Sequence, residues 1–141
     1  MAGALASLVL AEIAERHAFF ERWFNGLGAE DALATSLACF DPAFRRVDPA
    51  GRETDVAALE ASLASRRGAC AAAPVSITVE NLAVLWQGEG AALAGYVELQ
   101  RAAGSPELHR RRSTALFIRP PGGDAPLWRY LQETLIHTGD A

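Results

Sequence analysis

Read with the period of a strand, the segment GYVELQ sets Tyr96, Glu98 and Gln100 on one face and Val97 and Leu99 on the other. Three polar side chains in line have two readings. They form a solvated outer face or a dimer contact surface, or they line a pocket in which a few polar groups converge among apolar walls. A hairpin turn near Gly104 sets Glu98 opposite Arg111 or Arg112. An exposed charge pair there is worth about 0–1 kcal/mol. A buried one persists because each partner offsets the other's desolvation, and such pairs mark functional sites. Within HRRRS, Arg110 and Arg112 share a face with Thr114, and Arg111 shares the other with Ser113. Arg110 and Arg111 read as a solvated strand end that discourages edge pairing. Arg112, followed closely by the apolar ALF, reads as inward, where a guanidinium offers a planar fork of donors to a carboxylate or enolate oxygen.

In the segment LWRYLQETL, Trp128, Tyr130, Gln132 and Thr134 alternate with Arg129, Leu131, Glu133 and Leu135. The first set offers aromatic walls and neutral donors. The second holds Glu133 between two leucines, where desolvation raises a carboxylate toward general-base range. Alternation alone does not choose the inward face, so both sets supply candidates. Asp48, ahead of Pro49-Ala50-Gly51, reads as an Asx turn, with a role as base the alternative. Phe19, Phe20 and Trp23 read as core or pocket wall, His17 as a partly buried structural histidine, and His109 and His137 as surface.

Several chemistries have no residues to carry them. All 13 basic residues are Arg, so Schiff-base and lysine general-base catalysis are excluded, and every fixed positive charge is a guanidinium that cannot act as the base. Cys39 and Cys70 lie 31 residues apart, outside any zinc or disulfide pattern. There is no GxGxxG, Walker loop, GxSxG or HExxH, and no metal or organic cofactor is expected. A net charge of −4 with a pI near 5.3 argues against a general nucleic-acid binder. No window reaches the ~18 apolar residues of a membrane span, and MAGALASLVL lacks the basic start of a signal peptide, so a cytoplasmic protein is expected.

The elements that must position these residues follow from length and periodicity. The chain has 141 residues, 50% apolar and 21% charged, the size and composition of one domain spanning 1–141. Val9, Ile13, Phe20 and Phe24 form the stripe of a long amphipathic helix over 7–24, interrupted by Arg16, which must reach solvent or a partner. Gly26 suits the position after its end. A short helix over 30–38 is expected to bury Leu33 and Leu37, and Phe44 to Val47 reads as an edge strand because Pro42 and Pro49 cannot donate to a ladder. Thr54 is placed to cap a third helix carrying Leu59 and Leu63. Beyond Pro74, segments 75–86, 91–101, 108–118 and 127–137 read as a four-strand meander, with a bulge near Glu80-Asn81 to keep one face of the first strand apolar.

The chain therefore reads as α+β, with helices gathered ahead of a curved antiparallel sheet. With HAFFERWFNG (17–26), FRRVDPAG (44–51), YVELQ (96–100), RRSTALF (111–117) and LWRYLQET (127–134) in this order, it resembles the nuclear transport factor 2-like superfamily. That cone-shaped fold includes ketosteroid isomerase, scytalone dehydratase and the SnoaL-like polyketide cyclases. The resemblance covers nearly the whole chain. It implies three N-terminal helices packed on a curved antiparallel sheet, a homodimer formed through the sheet, and a pocket for a hydrophobic or carbonyl-bearing small molecule. It also implies isomerisation, dehydration, cyclisation or epoxide hydrolysis, with Glu98, Glu133 or Asp48 moving the proton and Arg112 or Tyr96 stabilising the oxyanion. Phe20, Trp23, Tyr96, Gln100, Thr114, Trp128, Tyr130 and Gln132 are then the ligand-contact candidates. Glu98, Arg112 and Glu133 would resemble the carboxylate–Arg–carboxylate set of limonene epoxide hydrolase if all three face inward. The chain departs from ketosteroid isomerase in carrying Phe19 and Phe20 where a tyrosine would be sought on the first helix, and it has no evident His–Asp pair of the scytalone dehydratase kind. A non-catalytic ligand-binding module, or a dimeric interaction module, is the alternative.

Overall fold

The computed structural model describes residues 2–137 and contains three helices and six strands. The first helix, α1 (Ala2–Phe24), begins earlier than the stripe from Val9 requires, because Leu5 continues it and is buried with Val9 and Ile13. It ends in a Schellman motif: Leu27 N–H donates to the Arg22 carbonyl at 2.8 Å and Gly26 N–H to that of Trp23 at 3.1 Å. Gly26 sits at φ 79°, a conformation that a residue without Cβ adopts freely. The second helix, α2 (Ala32–Leu37), is shorter than expected and buries Ser36 rather than its leucines.

Strand β1 (Phe40–Val47) starts four residues before the expected edge strand and is not at the edge. Its one flank pairs antiparallel with a short β2 (Glu53–Asp55), and its other runs parallel to the last strand. Pro42 is accommodated at a register shift between Phe40 and Arg45, where no ladder bond is demanded of it. Because Thr54 is used in β2 opposite Arg46, the cap of α3 (Val56–Ser65) falls to Asp55, whose Oδ1 accepts the Ala58 N–H at 2.9 Å.

The meander is as expected: β3 (Val75–Gly88), β4 (Ala91–Ala102), β5 (His109–Ile118) and β6 (Leu127–Ile136). The sheet order is β2-β1-β6-β5-β4-β3. The parallel β1–β6 contact makes the sheet mixed, which corrects the all-antiparallel expectation. The bulge in β3 is present between Glu80 and Ala83, with Asn81 at φ 54°. Side chains at the end of α1 and just beyond it engage the β3 edge, Asn25 bonding both backbone groups of Val75 and Glu21 accepting from Ile77 N–H, so this edge is partly covered. Helices cover one face of the sheet. Between them lie two clusters of buried apolar residues, one around Ile13, Phe44, Phe117 and Trp128, the other around Phe19, Trp23, Leu63 and Ile77.

A second bulge decides which side chains meet the helices. The β5–β6 register shifts between Leu116–Tyr130 and Phe117–Trp128, so Arg129 is extra and the phase of β6 changes there. Trp128 points inward before the bulge, and Leu131 and Glu133 point inward after it.

Candidate functional site

A cavity of about 160 Å³ opens between α1, α3 and the inner face of the sheet. Its deep wall is aromatic: Phe40, Phe44 and Trp128 are 7%, 1% and 2% exposed, with Phe40 stacked on Trp128 at 5.7 Å between ring centroids. Phe20 and Phe24, one turn apart on α1, stack at 6.2 Å along another side. Leu59 and Leu63 of α3, Ile77 of β3 and Leu131 of β6 complete the apolar lining.

Two polar groups are set into these walls. The first is a buried pair of His17 and Glu98, 3% and 6% exposed. One helical turn above Ile13, His17 brings Nδ1 to 2.7 Å from the Ile13 carbonyl oxygen. A carbonyl oxygen only accepts, so Nδ1 carries a proton and donates it there. The other ring nitrogen, Nε2, lies 2.9 Å from Glu98 Oε1. One further proton is therefore shared along the Nε2–Oε1 axis, as imidazolium with carboxylate or as imidazole with carboxylic acid. Glu98 Oε2 accepts from Gln100 Nε2 at 2.5 Å. Burial works to raise the Glu98 pKa, but hydrogen bonding and charge from His17, with help from Gln100 and Arg111, hold it below the ordinary 4.5. Tyr96 packs edge-on against His17 at 5.0 Å. Burial, then the charges of Glu98 and Glu133, push its phenol well above 10, so at neutral pH it is an O–H donor.

The second group is Glu133 with Arg46 and Arg111. Arg46 donates to Glu133 Oε1 at 2.6 Å, and Arg111 Nη1 lies 3.5 Å from Oε2. Glu133 is 5% exposed, whereas the two arginine side chains are 28% and 30% exposed, so the guanidiniums stand toward the mouth. Arg66 lies nearby over the Phe24 ring at 4.6 Å.

The placement of the expected residues divides by strand phase. Tyr96, Glu98, Gln100, Glu133, Phe20 and Trp128 all line the cavity. Arg112 does not: it is exposed, pairing in register with Val97 and Thr134 on the outer face, because Ser113, Ala115 and Phe117 turn inward and carry Arg111 with them. Arg111 thus replaces Arg112 as the inward cation, and the set Glu98, Arg112, Glu133 does not converge. Thr114, Tyr130 and Gln132 fall on the outer face with Arg112. Trp23 is buried in the second cluster, its Nε1 donating to the Leu63 carbonyl at 2.7 Å, and it does not line the cavity. Asp48 is outside the cavity, its Oδ1 accepting from Ala50 and Arg52 N–H at 2.9 Å each. Those bonds, that from Arg52 foremost, lower its pKa, as an Asx turn requires.

Several lining residues escaped the reading of the sequence, among them His17, Arg46, Arg66 and Arg111. His17 follows Ile13 at helical spacing, and Arg46 follows the inward Phe44 at strand spacing, so each carried a phase signal. Arg111 had no such signal, because the ALFI that follows is apolar on both sides of the strand. Arg16, the interruption of the helical stripe, meets partners rather than solvent: Glu12 at 2.8 and 3.0 Å, Ser36 Oγ at 2.6 Å and Cys39 Sγ at 3.0 Å. Trp128 Nε1 donates to the same Glu12 at 2.8 Å, which ties the cavity's deep wall to this network.

No family model matches the chain, and no curated protein matches it. Among solved structures, an NTF2-like protein of unknown function from Pseudomonas aeruginosa is 30% identical, with 92% of this chain and 99% of that one covered at a TM-score of 0.82. An NTF2-like protein with a cystatin-like fold from Novosphingobium aromaticivorans is 12% identical, covering 95% and 83% at 0.72. ActVI-ORFA from Streptomyces coelicolor is 16% identical, covering 94% and 97% at 0.65. The last two likenesses are of fold.

Proposed function

This chain belongs to the NTF2-like family, and from that premise we propose that its cavity binds a small carbonyl-bearing molecule and moves a proton on it through Glu98. The observation that carries the reading is the buried His17–Glu98 pair, which shares a proton beside the aromatic wall of the cavity. Glu98 takes a proton from the carbon next to the ligand's carbonyl, while His17, anchored at Ile13, keeps the carboxylate oriented. The pair is neutral as a unit before transfer and carries one positive charge after it. That charge faces the enolate just formed. Tyr96, a neutral phenol, is the donor for the enolate oxygen. A carboxylate held low is a weak base, so the substrates are carbon acids already activated by a carbonyl, the situation in which an aspartate of only modestly raised pKa suffices in ketosteroid isomerase.

The test is hydrogen exchange. Single-ring ketones and keto acids incubated with the protein in D₂O are expected to lose their α-proton signals in ¹H NMR about 10²–10⁴ times faster than without it. The second reading is a binding pocket without turnover, favoured by the same lowered Glu98 pKa. It predicts saturable binding with no enhanced exchange.

Self-association through the outer sheet face completes the proposal, since Leu85 is 60% exposed there with its side chain against Gly95. Sedimentation velocity is expected to show a dimer that Leu85→Glu converts to monomer; a monomeric wild type would refute this part.

A further inference from the structure

Given a small-molecule pocket, the charges at its mouth specify which small molecules. Three guanidiniums, those of Arg46, Arg66 and Arg111, line it, and Glu133 is the carboxylate paired with Arg46 and Arg111. Glu98 is engaged by His17 deeper inside. Arg46 places its donors on one oxygen of Glu133 at 2.6 Å, and Arg111 reaches the other only at 3.5 Å. Arg66 makes no ion pair among the described residues. A guanidinium presents five N–H donors in a fixed fork, so one carboxylate leaves most of this donor capacity unused. The cavity mouth is therefore positive in a chain whose net charge is −4. Size narrows the choice further. The cavity measures about 160 Å³, and an apolar cavity of about 150 Å³ holds benzene.

We propose that the pocket takes a single-ring carboxylate, with the ring against the aromatic walls and the carboxylate on Arg46 and Arg111, where it shares their donors with Glu133. In this arrangement Glu133 is an internal counter-ion. It keeps the empty mouth from accumulating unpaired charge and limits how tightly an anion is held.

Calorimetric titration with benzoate and with its neutral isostere benzamide tests this. Benzoate is expected to bind about tenfold or more tightly than benzamide, as charge-assisted hydrogen bonds imply. Arg46→Gln and Arg111→Gln are each expected to shrink that ratio, with circular dichroism and thermal unfolding confirming a folded protein. Glu133→Gln is expected to widen it, an outcome that a purely structural Glu133 does not produce. Should a variant fail to fold, the ratio on the wild-type protein, and its fall with rising salt, still decide. Equal binding of the two compounds, or a ratio insensitive to both arginine substitutions, overturns the anionic class and leaves the small-molecule pocket standing. Failure of every single-ring compound to bind the wild type overturns both.

Discussion

Glu98→Gln is expected to reduce α-proton exchange on a bound ketone by about 10²–10⁴, to the level of the solution reaction, while ring binding changes by less than about tenfold. The substitution keeps shape and hydrogen bonding: its amide can donate to His17 Nε2 where Oε1 now lies 2.9 Å away. What it removes is the capacity to hold a proton taken from carbon. Glu98 is 6% exposed, so an unpaired charge there would be costly, and His17 with Gln100 is what makes the ionised form tolerable. Undiminished exchange in this variant would move the base elsewhere, with Glu133 the remaining inward carboxylate. Undiminished binding with no exchange, even in the wild type, would make the pocket a carrier.

Arg16→Met is expected to cost about 3–5 kcal/mol of stability, the usual loss when one member of a buried ion pair is removed. At about 3–4 °C per kcal/mol for a domain of this size, the unfolding midpoint falls by roughly 9–20 °C. Arg16 is 5% exposed, and its guanidinium joins Glu12 on its own helix to Ser36 on α2 and to Cys39 just before β1. Without it Glu12 is left with Trp128 Nε1 as a single strong partner, and α2 loses the bond that accounts for a buried serine on that helix. The pair is best read by a double-mutant cycle with Glu12→Gln, where a coupling of about 0.5–3 kcal/mol is expected. A change below about 1 kcal/mol for Arg16→Met alone would show that the network is solvated in solution.

Much of this arrangement is legible in the residues, and the parts that are not share a cause. Element order follows from periodicity, and the break at Glu80-Asn81 can be read because Ile77 and Val79 are out of phase with Leu82 and Val84. Alternation groups Tyr96, Glu98 and Gln100 on one face but leaves open whether that face is inward, and the structure turns it into the cavity. Phase fails where a strand is apolar on both faces or bulged. ALFI offers Ala115 and Phe117 on one side and Leu116 and Ile118 on the other, so the choice between Arg111 and Arg112 has no local signal. In β6 the bulge at Arg129 puts Trp128 and Glu133, members of opposite alternating sets, on the same face. The inward face thus takes Trp128 from one set and Leu131 and Glu133 from the other. The role of His17 depends on a contact 81 residues away in sequence, formed only when β4 packs against α1. The capping exchange from Thr54 to Asp55 likewise follows from β2, a three-residue strand whose existence depends on pairing with β1 rather than on its own pattern.

The absence of lysine takes on a more specific meaning beside this site. Every cation at the mouth is a guanidinium, which holds its proton at working pH, so proton transfer falls to the other groups of the cavity, with the Glu98–His17 pair the proposed carrier. The measurement closest to the centre of the account is ¹⁵N NMR of the His17 ring in the wild-type protein near neutral pH. The account predicts a protonated Nδ1, hydrogen-bonded to the Ile13 carbonyl, and a proton shared between Nε2 and Glu98. A bare Nδ1, with the ring's only proton on Nε2, would contradict it.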